Sequence, residues 1–333
     1  MALRFASFPL TVSRETGAEL GGAILGEPPS GAITDWPQQR IFAPLLGSTT
    51  AVVQEVWQTN QALTSGTSEG IVWRRTGDLL YGIIELDEAD FPGSATCSSL
   101  QAASAEAYRR IFRLLDAAQL PHLWRVWNYL AAINLETRGL ERYRQFNIGR
   151  QDAFLECHRG ATGNVPAACA IGLAGGPLSI AFMAGKSPAV PLENPRQVSA
   201  YNYPADYGPR SPTFSRGALV YLPGQEILFI SGTASIVGHL TVHPGDVAGQ
   251  CRECIANIDA VLGEANRQRR SGPFELDELS YRVYVRDAGD FQKIRETLAS
   301  LIGSAEVLYL QADICRQDLL LEIEASALHA LED

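Results

Sequence analysis

The chain has 333 residues, 46% of them apolar, and a formal net charge of −10. That is enough chain for two domains of roughly 100–200 residues. It is too acidic to be aimed at nucleic acid or an anionic membrane, and no apolar run approaches the roughly 18 residues of a membrane span.

The N-terminal "MALRFASFPLTVSR" lacks the apolar core of a secretory signal, so a cytoplasmic protein is expected. Six scattered cysteines are too sparse for a disulfide framework and are expected as free thiols. Lysine occurs only at Lys186 and Lys293, so the basic side chains are almost all arginine. An acidic protein that binds an anion needs a local arginine cluster, and the planar guanidinium suits carboxylates.

In chain order, the first 40 residues are rich in Gly and Pro, with "GEPPSG" and "DWPQQR" as loop signals. Strands are expected at 51–58, 70–77 and 79–88. A helix is expected over 98–118, where Leu100, Ala107, Ile111, Leu114 and Leu115 recur at helical spacing. Residues 122–133 read as a strand and 137–157 as a helix. Three strands are expected next, "AACAIGLA", "PLSIAFMAG" and "RQVSAYNYPA", then a strand–turn–strand over 217–236. A helix over about 246–265, a strand at 279–287, a helix at 288–302 and two closing strands, "AEVLYLQA" and "LLLEIEASA", complete the chain.

The halves share a grammar. "LLYGIIELDEADF", a helix and "LWRVWNYLAAI" parallel "ILFISGTASIVGH", a helix and "LSYRVYVRDAG". This predicts two diverged copies of one α+β unit, divided as 1–148 and 149–333.

No Walker loop, GxGxxG, GxSxG elbow or HExxH is present. Cys251 and Cys254 form a CxxC near His239 and His243. It reads as two small helix residues packed on a sheet rather than a metal site. The densest polar stretch is "NPRQVSAYNYPADYGPRSPTFSRGA" (194–218), whose Tyr and Arg side chains can donate to carboxylates and whose prolines would pre-position them. A solvated surface loop is the equal alternative. On the 137–157 helix, Tyr143 and Arg150 share a face, for which a solvated arginine-rich surface is the favoured alternative. In "QADICRQDLLLEIEA" (311–325), Leu319, Leu321, Ile323 and Ala325 take one face of a strand, and Leu320, Glu322 and Glu324 the other. By pattern alone Glu322 reads as a solvated carboxylate and Cys315 as a small structural thiol.

"RQFNIGRQDAF", "ENPRQVSAYNYPADYGPRSPTFSRGALV", "ILFISGTASIVGHLTVHPGD" and "ADICRQDLLLEIEA" together resemble the chorismatase family, closely from about residue 140 onward. The C-terminal half also resembles the Rid fold of imine deaminases. The resemblance implies an α+β protein of two diverged Rid-like (chorismate-mutase-like) α/β sandwich units, with mixed sheets and helices on one face. It implies cleavage of chorismate to pyruvate and a cyclic carboxylic acid, with no metal or cofactor. The oligomeric state stays open between a monomer and a homo-oligomer such as a trimer.

The resemblance also assigns roles. Glu322 becomes the acid that protonates the enolpyruvyl methylene, which requires burial to raise its pKa. Cys315, seven residues before the acid as in the aromatising branch, implies 3-hydroxybenzoate, with or without 4-hydroxybenzoate. Tyr143, Arg150, Tyr207, Arg210 and Arg216 become the clamps on carboxylates and ring hydroxyl, and Gly232 a point of close approach. Two readings compete with this one. A hydrolytic chorismatase would give a dihydroxycyclohexadiene carboxylate, and a Rid-like protein would bind a metabolite or deaminate an imine.

Overall fold

A computed structural model describes residues 3–10, 17–27 and 35–331. The opening of the chain builds a four-stranded sheet. Its strands are β1 (Leu3–Pro9), β2 (Glu19–Gly26), β3 (Gln38–Ile41) and β4 (Val52–Thr59), in the spatial order β1-β4-β2-β3. The Gly/Pro-rich opening expected as loop therefore contains three strands. The glycines that suggested loops serve close approach instead. A Cβ on Gly21 would lie 2.1 Å from the Tyr81 ring, and one on Gly22 1.9 Å from the Glu55 carbonyl oxygen. Most of "GEPPSG" lies outside the described residues, and "DWPQQR" runs directly into β3.

The middle sheet follows. Its elements are β5 (Thr64–Ser68), β6 (Ile71–Arg75), β7 (Leu79–Leu86), α1 (Ser99–Ala118), β8 (His122–Ala131), α2 (Arg142–Glu156), β11 (Ala167–Leu173) and β12 (Leu178–Gly185). A short hairpin, β9 (Glu136–Thr137) and β10 (Leu140–Glu141), takes the start of the expected 137–157 helix. The C-terminal sheet holds β13 (Val190–Leu192), β14 (Gly217–Leu222), β15 (Gln225–Thr233), α3 (Val247–Gln268), β18 (Ser280–Val285), α4 (Phe291–Ile302), β19 (Val307–Gln311) and β20 (Leu321–Ala330). A second hairpin, β16 (Ile236–Val237) and β17 (Leu240–Thr241), precedes α3.

The two large sheets have the same topology. The middle one runs β11-β8-β12-β7-β6-β5 and the C-terminal one β19-β18-β20-β15-β14-β13. Each contains one parallel pair, β11 with β8 and β19 with β18. The duplicated units thus span β5–β12 and β13–β20. The expected division at 148/149 falls inside α2, and sheet membership changes after Gly185.

The fold is α+β, and burial explains its layers. One face of the middle sheet packs under α1 and α2 through Leu80, Phe112, Val126, Phe154 and Phe182. One face of the C-terminal sheet packs under α3 and α4 through Leu228, Ile258, Val283, Leu298 and Ile323. The remaining faces meet each other and the N-terminal sheet in a third core containing Trp57, Trp127, Ile171, Phe229 and Leu310. In that core the hydroxyls of Tyr129 (β8) and Tyr284 (β18), on counterpart strands, hydrogen-bond each other at 2.6 Å. Cys251 and Cys254 are buried in α3 against the sheet, and burial pushes both thiols up in pKa. No helix among the described residues is long and apolar enough to cross a membrane.

"RQVSAYNYPA" is a correction: it is not a third strand. Residues 200–202 and 205–207 are single 3₁₀ turns, and Gln197 makes only an isolated bridge to Gly238. Pro195 and Pro204 remove backbone donors that a ladder would need.

Candidate active site

The catalytic candidates meet where the two units face each other. On β20 the residues Leu321, Ile323 and Ala325 point under α3 and α4. The alternate residues Glu322 and Glu324 therefore face the first unit, and each is only 4% exposed. Glu322 lies at the inner end of a cavity of about 700 Å³. Beyond it is a narrow lobe of about 30 Å³, bounded by Tyr143, Arg150, Cys169, Phe214, Gly232, Cys315 and Glu322.

Gly232 makes room for the acid. The β15–β20 register shifts between Ile230 and Thr233, which marks a bulge at Ser231–Gly232. A Cβ on Gly232 would lie 1.8 Å from Glu322 Oε1. Ser231 pins the bulge: its hydroxyl donates to Ser215 O at 2.6 Å and accepts from Ala168 N at 2.9 Å.

Burial pushes the Glu322 carboxyl up to about 8, and the nearby Glu324 carboxylate adds to the rise. The Arg125 and Arg216 guanidiniums and the Cys315 thiol act in the opposite direction. A carboxyl so placed is protonated at neutral pH. Burial likewise holds the Cys315 thiol and the Tyr143 phenol in their neutral forms.

Two buried arginines border the cavity and its lobe. Arg150 on α2 is 1% exposed. Its Nη2 donates to Asn147 Oδ1 at 2.7 Å, its guanidinium lies 5.0 Å from the Phe146 ring centroid, and its Nε has no partner among the described residues. Arg216 is 6% exposed. Its Nη2 donates to Val198 O at 2.9 Å and to Tyr203 Oη at 2.7 Å, and its Nε is also unpartnered. Among the described residues neither is in an ion pair with a carboxylate, whereas Arg125 and Arg282 are. Burying an unpaired charge is costly, so these two cations mark where an anion belongs.

The structure brings Glu322, Cys315, Tyr143, Tyr207, Arg150, Arg216 and Gly232 together around this cavity and its lobe. It does not bring Arg210. That side chain is exposed and pairs with Asp152 at 3.3 Å, outside the lining. The Pro-rich 194–218 segment is neither wholly solvated nor wholly in the site, since Arg216, Tyr203 and Tyr207 face in while Arg210 faces out.

Sequence reasoning gave no site role to Cys169, Phe214 or Arg316. Arg316 lines the mouth, with its guanidinium 4.2 Å from the Tyr207 ring centroid and Nη1 donating to His239 O at 2.9 Å. His239 also meets the Tyr207 hydroxyl at 3.3 Å. The place of Arg316 directly after Cys315 in "ICRQD" was the available signal. Cys169 sits mid-strand in an apolar run, which carries no signal of a site.

A family model described as "Chorismatase FkbO/Hyg5-like, N-terminal" matches residues 55–184. A chorismatase of Streptomyces rapamycinicus is 39% identical over 278 residues, covering 81% of this chain and 80% of its own. The chain belongs to the chorismatase family. A 3-hydroxybenzoate synthase of Streptomyces hygroscopicus is 36% identical over 282 residues, covering 81% of this chain and 80% of its own. A crystal structure of a chorismatase superposes with a TM-score of 0.86 at 32% identity, covering 98% of both chains. Part of this chorismatase-family enzyme, 128 residues or 38% of it, is also 30% identical to a RutC family protein of Pyrococcus horikoshii, of which it covers 91%.

Proposed function

We propose that this enzyme cleaves chorismate to pyruvate and 3-hydroxybenzoate, with 4-hydroxybenzoate as a permitted second product. One observation carries the reading: a buried, protonated carboxyl, Glu322, stands in a cavity that also holds two buried arginines lacking carboxylate partners. Chorismate is a dianion with an acid-labile enol ether. Arg150 and Arg216 each take a carboxylate, since one guanidinium fork cannot satisfy two separated anions. Tyr143 and Tyr207 hold the ring hydroxyl and carboxylate oxygens.

Glu322 gives its proton to the enolpyruvyl methylene, which makes the ether oxygen a leaving group. The C4 hydroxyl oxygen then attacks C3, the C3–O bond breaks and pyruvate departs. The hydroxyl proton returns to the Glu322 carboxylate. The arene oxide so formed opens and loses a ring proton to give the phenol. No water, oxidant or reductant is consumed. Closeness of Cys315 to the acid supports the aromatising branch, because a neutral thiol beside the ring leaves little room for an attacking water. General acid catalysis of this kind contributes about 10²–10⁴-fold.

The test is purified enzyme with chorismate alone, followed by chromatography and mass analysis, beside Glu322→Gln and Cys315→Ala. Pyruvate and 3-hydroxybenzoate, lost in Glu322→Gln, are expected. A non-aromatic dihydroxy acid would move the enzyme to the hydrolytic branch. Untouched chorismate would overturn the reading.

A further inference from the structure

A second cavity lies away from Glu322, where β1 and β4 of the N-terminal sheet meet β8, β18 and β20. Its volume is about 260 Å³, just below the roughly 300–1,000 Å³ of drug-sized sites, so it has room for a single ring. Its wall is a run of aromatic contacts. Phe5 lies 4.9 Å from Trp57 (centroid to centroid), Trp57 5.6 Å from Phe229, and Phe229 6.3 Å from Trp127. At the end of the run the Arg125 guanidinium lies 5.1 Å from the Trp127 ring centroid.

The floor is polar and already neutral. Arg125 pairs with Glu324, and Arg282 bridges Glu55 and Glu324. Two guanidiniums thus face two carboxylates. Arg125 Nη1 and Arg282 Nε are closed off from solvent, so the floor presents no free positive charge to a ligand. An anionic ligand would add an unbalanced charge to this floor and would pass the exposed Glu306 carboxylate at the rim.

We propose that this cavity is a binding site for a small, uncharged, single-ring aromatic, packed on the Trp57–Phe229–Trp127 wall above the neutral Arg125–Glu324–Arg282–Glu55 floor. The site selects against aromatic carboxylates and does not depend on the reaction proposed for the Glu322 cavity.

Benzamide and benzoate test it, since they share a ring and an acceptor oxygen and differ in charge. Binding to the full chain is read from tryptophan fluorescence and by calorimetry. Saturable binding of benzamide is expected, with benzoate weaker by about ten-fold or more. Ser326→Phe fills the cavity from a half-buried strand position and is expected to abolish benzamide binding while leaving chorismate turnover unchanged. Phe5→Ala, on the edge strand β1, is expected to weaken it and guards against a misfolded Ser326→Phe. Arg216→Lys, in the other cavity, is expected to leave it intact. Equal affinity for benzoate, no saturable binding of benzamide, or binding that survives Ser326→Phe or Phe5→Ala but is lost in Arg216→Lys would overturn the proposal.

Discussion

Glu322 and Gly232 are in such close register that no side chain at 232 leaves space for the acid: the nearest carboxyl oxygen lies 1.8 Å from where a Cβ would be. Gly232→Ala must therefore push the carboxyl aside. Displacing a reacting group by about 1 Å costs about 10²-fold in rate. A drop of that order in kcat with chorismate, in a variant whose circular dichroism and melting curve match the wild type, is the expected result.

The acid is a liability to the fold at high pH. Its folded-state pKa, about 8, is above the ordinary carboxyl value of 4.5. The stabilising effect of the neutral carboxyl is fully present below about 4.5 and is lost as pH rises through about 8. Glu322→Gln, neutral at every pH, is expected to raise Tm relative to wild type more at pH 8 than at pH 5, while lowering kcat by about 10²–10⁴-fold. Melting curves at the two pH values check the first part and initial rates the second.

Catalysis should follow the same titration with the opposite bearing on use. Activity needs the protonated acid, so kcat is expected to hold at neutral pH and fall on the alkaline side near 8. Glu324 contributes to the raised value, and the Arg125 guanidinium opposes it. Glu324→Gln removes one negative neighbour and frees Arg125, so both changes move the alkaline limb to lower pH. Leaving Arg125 and Arg282 short of a buried partner costs about 3–5 kcal/mol of stability. A pH–rate profile of the folded variant, taken below its lowered Tm, decides whether the limb moves.

Arg210 and Arg216 lie six residues apart in one loop and should behave differently. Arg216→Lys loses hydrogen bonds from a charged, buried donor, each worth about 1.5–3 kcal/mol, so KM for chorismate is expected to rise about 10–100-fold. Arg210→Ala breaks only an exposed pair with Asp152, worth about 0–1 kcal/mol, and KM is expected to stay close to wild type. Steady-state kinetics of both variants separate the inward arginine from the outward one.

Cys315→Ala opens space beside the acid. The expected consequence is a shift from hydroxybenzoate toward the dihydroxycyclohexadiene carboxylate, with pyruvate still released. The ratio of the two acids by mass is the readout.

The strands of the duplicated units were readable from the sequence because both faces or one face of each is apolar, as in "LLYGIIEL" and "LLLEIEASA". The small N-terminal strands were not, because Gly21 and Gly22 are there for contact with Tyr81 and Glu55 rather than for turns. "RQVSAYNYPA" misled in the other direction, since its alternating residues mimic a strand that its prolines forbid. At the site, pattern alone favoured a wet Glu322. Alternation along a strand names the face but not what covers it, and here the cover is α2 and β11, more than 150 residues earlier in the chain. Only the family resemblance pointed the right way. The same resemblance placed Arg210 inward, because position within a loop does not fix which way a side chain turns.

The Tyr129–Tyr284 contact joins the two copies at matching points, and it shows what became of the other copy. Tyr284 pairs across the ladder with Glu322, and Tyr129 with Ser179. Where the second unit presents an acid to a cavity, the first presents a hydroxyl within reach of Gln39 from the N-terminal sheet, at 3.2 Å. The added sheet plugs the vacant half of a two-fold design. A repeated chain is therefore expected to carry one reaction centre, and titration with a tight, unreactive chorismate mimic to saturate the Glu322 cavity at a single equivalent per polypeptide.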